Sequence, residues 1–176
     1  MAMWCRRHMI KYGTTAEQLG HVATMQRGNA AANPRAMQRK PLNMDEYMNS
    51  RRIVDPFRLY DICLESDGAC AVVVTSAERA RDMPHRPVYI MGGAYGGGPN
   101  QGDDLLDAIR WPEHARNYSH YIADDLWASA GIGPRDVDVA EIYDCFTYSV
   151  LMQLEGLGFC AEGEGGPFVT SGAIDP

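Results

Sequence analysis

Short strands and helices alternate along the 176-residue chain, and that alternation predicts an α/β layered fold with mainly parallel pairing in at least part of its sheet. Three segments carry the prediction. Ala69-Cys70-Ala71-Val72-Val73-Val74 follows the turn Ser66-Asp67-Gly68 and is short, apolar and rich in β-branched residues, as a strand buried on both faces is. Val88-Tyr89-Ile90-Met91 is a second strand. Residues 137–143 form a third, leading straight into helical spacing at Phe146, Val150, Leu154 and Leu157.

The helices have start and stop signals of their own. In Thr14-Thr15-Ala16-Glu17, the Thr14 hydroxyl can accept from the first free amides while Glu17 reaches back to the cap residue's amide. Ala16, Leu19, Val22, Ala23, Met25 and Ala30 then give one apolar face until Asn33-Pro34 stops the run. Residues 34–56, polar and punctuated by Pro34, Pro41 and Pro56, read as a long excursion without regular structure, the kind that serves as a cover or interface loop. Thr75-Ser76-Ala77-Glu78 is a second capping box and opens a short helix that ends before Pro84. Residues 121–130 are a helix closed by Gly131 and Gly133-Pro134. The run Gly163-Glu164-Gly165-Gly166-Pro167 reads as an irregular loop.

Composition narrows the class. With 45% hydrophobic and 22% charged residues the chain has the profile of one globular domain rather than a disordered segment. A net charge of −7 argues against binding to a nucleic-acid backbone, which needs a basic face. No apolar run approaches the roughly 20 residues of a spanning helix, so no membrane is expected as a partner. The basic start Arg6-Arg7-His8 is followed by no long apolar stretch, so no secretory leader is expected and a cytoplasmic location is. Five scattered cysteines, Cys5, Cys63, Cys70, Cys145 and Cys160, read as free thiols in a reducing compartment. Cys5 and His8 form a lone Cys-x-x-His; a zinc site needs about four ligands, and no metal is expected.

Two constellations could carry chemistry. The glycine-dense stretch Gly92-Gly93-Ala94-Tyr95-Gly96-Gly97-Gly98-Pro99 does not have the Gly-x-Gly-x-x-Gly spacing of a dinucleotide site, and residues 100–102 prolong it where a helix would have to start. It is either a plain loop or a loop lining a substrate cleft, with Tyr95 as its one chemically useful side chain. The second is Glu141-Ile142-Tyr143-Asp144-Cys145-Phe146, at a strand-to-helix junction, where ligands of open α/β sheets collect beside free amides. Tyr143 and Asp144 could exchange protons there and Cys145 could gain thiolate character. Equally, Asp144 could cap the helix, Cys145 could be a small core residue and Tyr143 a packed aromatic. No Gly-x-Ser-x-Gly is present, and His8, His21, His85, His114 and His120 read as surface residues without a partner motif.

Five motifs in order resemble the thiolase superfamily: Tyr12-Gly13-Thr14-Thr15-Ala16-Glu17-Gln18-Leu19, Asn33-Pro34-Arg35-Ala36, Ser66-Asp67-Gly68-Ala69-Cys70-Ala71-Val72-Val73, Glu141-Ile142-Tyr143-Asp144-Cys145-Phe146 and Gly163-Glu164-Gly165-Gly166-Pro167-Phe168. More narrowly, the chain is similar to the sterol-carrier or lipid-transfer branch, which includes acetyl-CoA acetyltransferase-like proteins and steroid side-chain aldolases. The resemblance implies a layered α-β-α-β-α fold of two similar halves, incomplete in this chain. Residues 1–87 would close the N-terminal half and residues 88–176 would open the C-terminal half. It further implies an acyl-CoA thioester as substrate with no resident cofactor, and either a homodimer or a hetero-oligomer with a hydratase- or OB-fold-type companion. Thiolases of this kind carry an upstream nucleophilic cysteine and a downstream Gly-His-Pro histidine, and neither segment is in this sequence. By the resemblance, Tyr143 stands where other members place an asparagine or histidine that holds the thioester carbonyl. It would be a proton donor or acceptor in retro-aldol cleavage of a β-hydroxyacyl-CoA, with Asp144 orienting the helix start and Tyr95 a weaker second candidate. The alternative is a non-catalytic subunit, or a truncated fragment, that binds a partner.

Overall fold

The computed structural model describes residues 1–99 and 111–175. In chain order its elements are α1 (Ala2–Tyr12), α2 (Ala16–Ala32), α3 (Met44–Met48), β1 (Arg52–Val54), β2 (Phe57–Arg58), α4 (Ala77–Ala80), α5 (Ser119–Ala130), α6 (Thr147–Gly156) and α7 (Gly165–Thr170), with 3-10 turns at Leu59–Asp61 and Pro134–Asp136. The centre is α6. Every residue from Thr147 to Glu155 is buried, the pattern of a helix enclosed on all sides. Around it pack α2, α5 and α7, while Cys5 of α1, Tyr47 of α3 and Phe57 of β2 complete one apolar cluster with Leu19, Val22, Leu151 and Val169.

The local signals translate with small shifts that have physical causes. Helix α2 is capped one residue later than expected: Thr15 accepts from the Gln18 amide at 3.3 Å and the Gln18 side chain accepts from the Thr15 amide at 3.0 Å. Thr14 is unavailable for that task because its hydroxyl is buried against the His8 ring at 2.7 Å. Ser76, rather than Thr75, caps α4 by accepting from the Arg79 amide at 3.3 Å. Helix α5 ends at Gly131, whose φ of 70° is the left-handed conformation that glycine adopts without steric cost. The excursion at residues 34–56 is more ordered than its prolines imply, since Asn43 and Glu46 build a capping box for α3 and β1 pairs with β2 in a tight antiparallel hairpin. The N-terminal residues form α1, and the last glycine run opens α7.

The three expected strands, with parallel pairing in part of the sheet, are not formed among the described residues. The one sheet there is the β1–β2 pair. Segments 69–74, 88–91 and 137–143 carry no strand assignment, and Val73 and Val88 are 91% and 95% exposed where two buried faces were expected. A strand is defined by hydrogen bonds to a neighbour, so an apolar, β-branched run with no neighbour beside it remains unpaired. Alternation was legible; the partner strands are not among these residues.

Candidate functional site

The junction ahead of α6 is held by backbone contacts from within that helix. The Tyr143 carbonyl accepts from Gln153 Nε2 at 2.6 Å and lies 3.3 Å from the Ser149 hydroxyl. Gln153 is itself fixed, donating also to the Ser149 carbonyl at 2.8 Å and accepting from the Tyr118 hydroxyl at 3.0 Å. Ser149 sits at the third helical position, where its hydroxyl accepts from the Phe146 amide at 3.1 Å and so satisfies a donor that the helix leaves free. On the other side an antiparallel bridge joins Ile62 to Phe146, and the Cys63 amide donates to the Cys145 carbonyl at 3.1 Å. The chain is pinned on both flanks of residues 143–145.

From this anchored backbone Tyr143 projects into solvent, 67% exposed, and is not the packed aromatic that one reading allowed. Its phenol is held above the ordinary tyrosine range, first by the neighbouring Cys145 thiol, whose ionised form would repel a phenolate, then by local desolvation and by Cys63 and Asp144. An ordinary phenol, with a pKa of about 10, is protonated at neutral pH, and the upward shift makes this one a weaker acid that still offers its O–H as a hydrogen-bond donor.

Asp144 does not orient the start of α6. Its carboxylate accepts from Gln26 Nε2 of α2 at 3.0 Å, and Ser149 serves the helix start in its place. Gln26 and Asp144 together line two open grooves, one of about 1050 Å³ with Ile142, Phe159 and Phe168 in its wall, the other of about 540 Å³ with Tyr60 and Cys63. Tyr95 is fully exposed on the glycine loop, and among the described residues it makes no hydrogen bond to the Tyr143 junction. That loop packs on the end of α5: Gly93 and Ser129 exchange bonds of 3.0 and 3.1 Å, and a Cβ on Gly92 would lie 2.5 Å from the Ala130 nitrogen. The continuation at residues 100–102 lies outside the described residues.

Three features escaped the sequence. His8 is not a surface residue: it is fully buried, with Nδ1 2.7 Å from the Thr14 hydroxyl and Nε2 3.2 Å from Glu155. Glu155 uses its second oxygen to accept from the Gly165 amide at 2.8 Å, so the network ties α1 and α7 to the central helix. Both His8 nitrogens are engaged in hydrogen bonds, and burial pushes the Cys5 thiol up to about 12, so the Cys5 thiol stays protonated and the His8 ring is committed to Thr14 and Glu155. His120 is half-buried, which lowers its pKa by desolvation, and its Nε2 has no partner among the described residues. The last is the pairing of Cys63 with Cys145, 82 positions apart, which no motif announces.

Comparison with known proteins follows the same outline. Residues 116–176 match the family described as Thiolase C-terminal domain-like. A steroid side-chain-cleaving aldolase of Thermomonospora curvata is 43% identical over 176 residues, which is 99% of this chain and 45% of that protein. A 17-hydroxy-3-oxo-4-pregnene-20-carboxyl-CoA lyase of Mycobacterium tuberculosis is also 43% identical, with the same coverage of 99% and 45%. The solved structure described as an Ltp2-ChsH2(DUF35) aldolase superposes with a TM-score of 0.89 at 42% identity, covering 97% of this chain and 45% of that one. The chain thus spans a little under half the length of these relatives. Its fold is the thiolase-like one that the ordered motifs implied, and along its length the chain is similar to members of the thiolase superfamily, aldolase-like ones among them.

Proposed function

We propose that this chain serves carbon–carbon bond cleavage next to a CoA thioester, the retro-aldol splitting of a β-hydroxyacyl-CoA in lipid or steroid side-chain degradation. The observation that carries the reading is the exposed Tyr143 phenol on a junction pinned by Ser149 and Gln153, in a chain 43% identical to an aldolase and a CoA lyase. In such a cleavage a base takes the β-hydroxyl proton, the Cα–Cβ electrons pass to the thioester as an enolate, and a proton returns to Cα. Tyr143, protonated at neutral pH as a phenol is, is the donor that stabilises the enolate oxygen or supplies that proton, and the base is a different group. The substrate is the CoA thioester itself, with no resident cofactor, in a cytoplasmic setting that keeps the thiols reduced. The two components named in the description of the solved relative support a hetero-oligomer here, with a companion of hydratase or OB-fold type.

The test is chromatographic. A β-hydroxyacyl-CoA is incubated with the purified protein, alone and with a co-expressed companion, and release of the shorter acyl-CoA is followed. Tyr143→Phe is expected to lower turnover by about a hundredfold or more while CoA binding persists; turnover unchanged by that substitution would sink the role. Binding without turnover in every combination would favour the second reading, a non-catalytic subunit that binds a partner.

A further inference from the structure

We infer that Cys63 and Cys145 are a reversible modification site, a thiol pair that peroxide converts to a disulfide across the bridge beside Tyr143. The geometry comes from the bridge itself. In an antiparallel bridge the residue after one partner faces the residue before the other, so the Ile62–Phe146 bridge sets Cys63 opposite Cys145, and the Cys63 amide donates to the Cys145 carbonyl at 3.1 Å. Opposed residues of an antiparallel pair have Cα atoms about 4.5–5.5 Å apart and side chains on one face, and disulfides form over Cα separations of about 4.4–6.8 Å. The two backbones are clamped in register. Asp61 accepts from the hydroxyls of Tyr47 and Thr147 at 2.7 and 2.6 Å, and Phe146 stacks on Phe57 with ring centroids 5.0 Å apart.

The other cysteines lack these conditions. Burial pushes the Cys5 and Cys160 thiols up to about 12, leaving them protonated and slow to react. Cys70 is exposed but lies on a segment with no opposing strand among the described residues. Cys63 is exposed and Cys145 is half-buried, its sulfur 3.5 Å from the Ser149 hydroxyl. The reaction with hydrogen peroxide then runs in two balanced steps. The Cys63 thiolate attacks one peroxide oxygen, the O–O bond breaks, and the leaving hydroxide departs as water, giving a sulfenic acid. The Cys145 sulfur attacks that sulfenic sulfur, the S–S bond forms, and a second water leaves. Two thiols are oxidised and one peroxide is reduced; a dithiol reductant reverses the change. Oxidation also removes both ionisable thiols from the surroundings of Tyr143, so its phenol pKa falls toward the ordinary tyrosine value. Cytosolic disulfides of this kind are transient and redox-sensing rather than structural. None of this depends on the retro-aldol reading.

The experiment is peroxide treatment of the purified protein, followed by denaturing alkylation with N-ethylmaleimide, intact mass measurement and non-reducing peptide mapping. Expected are loss of two alkylations out of five, a single Cys63–Cys145 linked peptide, and full recovery with dithiothreitol. Cys63→Ser and Cys145→Ser should each abolish the link and Cys70→Ser should not. In the Cys145→Ser protein the Cys63 sulfenic acid, having lost its partner, should be trapped by dimedone. A phenolate titration should show Tyr143 ionising at lower pH after oxidation, with Tyr143→Phe identifying the signal. Unchanged alkylation of both cysteines, or a Cys63–Cys70 link in place of the expected one, would overturn the proposal.

Discussion

The anchoring of Tyr143 by Gln153 can be weighed bond by bond. In Gln153→Leu three contacts of the side chain disappear: to the Tyr143 carbonyl at 2.6 Å, to the Ser149 carbonyl at 2.8 Å, and from the Tyr118 hydroxyl at 3.0 Å. Two of the three losses are softened. The Ser149 carbonyl lies inside α6 and keeps its place in the helical ladder, while Tyr118 is 41% exposed and water can replace its partner. The Tyr143 carbonyl is left to share, at 3.3 Å, the one Ser149 hydroxyl proton that also lies 2.6 Å from the Phe146 carbonyl. An under-satisfied buried acceptor costs about 1–3 kcal/mol, and because this one is half-buried the lower part of that range, about 1–2 kcal/mol, is expected. Urea unfolding should show that loss as a shifted midpoint at constant slope. With the junction loosened, Tyr143 moves away from Cys145 and its phenol should titrate closer to an ordinary tyrosine. Combining the change with Ser149→Ala orphans the carbonyl entirely, and a coupling of about 0.5 kcal/mol or more is expected because both side chains serve one acceptor. A loss under about 0.5 kcal/mol with an unmoved phenolate titration would refute the anchoring.

Two further outcomes follow from the buried polar groups. His8→Ala strands one Glu155 oxygen and the Thr14 hydroxyl where water does not reach, and about 3–5 kcal/mol of stability should be lost, measured by urea unfolding; a loss below about 1 kcal/mol would mean that the site relaxes and rehydrates. His120 has its folded pKa lowered by desolvation, so the unfolded chain binds its proton more readily. Stability is then unaffected above the imidazole range near about pH 6.5 and falls as pH drops through it, a slope that His120→Gln should remove from thermal melts.

What the sequence made legible is mostly local. A cap involves residues three apart, so the start of α2 could be read to within one residue. It missed by that one because Thr14 is claimed by His8, a contact between two elements that no spacing reveals. The glycine at 131 ends α5 through its own backbone freedom and was equally readable. Burial of His8 was not readable, since it depends on Glu155, 147 positions away. Asp144 illustrates the same division. A carboxylate just ahead of a helix favours capping on local grounds, yet Gln26 of another helix holds it and a serine inside α6 takes over the task. Of the candidate site, Tyr143 and its junction were legible, while the clamp that holds them and the cysteine opposite were not.

The strand segments show how far composition can be trusted. Val72, Val73 and Val74 have the β-branched character of a doubly buried strand, and they are among the most exposed apolar residues here. Side-chain type records the environment that a segment is suited to, whereas exposure records the neighbours it has, and the two disagree only where neighbours are absent from the residues in view. Around α6 they largely agree: its nine buried residues, Thr147 to Glu155, meet α2, α5 and α7, and Thr147, Ser149, Gln153 and Glu155 are each hydrogen-bonded, while the Tyr148 hydroxyl has no partner among the described residues. Tyr143 joins the two regimes, its carbonyl fixed by side chains of α6 and its phenol exposed to solvent. An exposed phenol on a rigid base is what a proton donor needs, and rigidity here comes entirely from residues that this chain already contains.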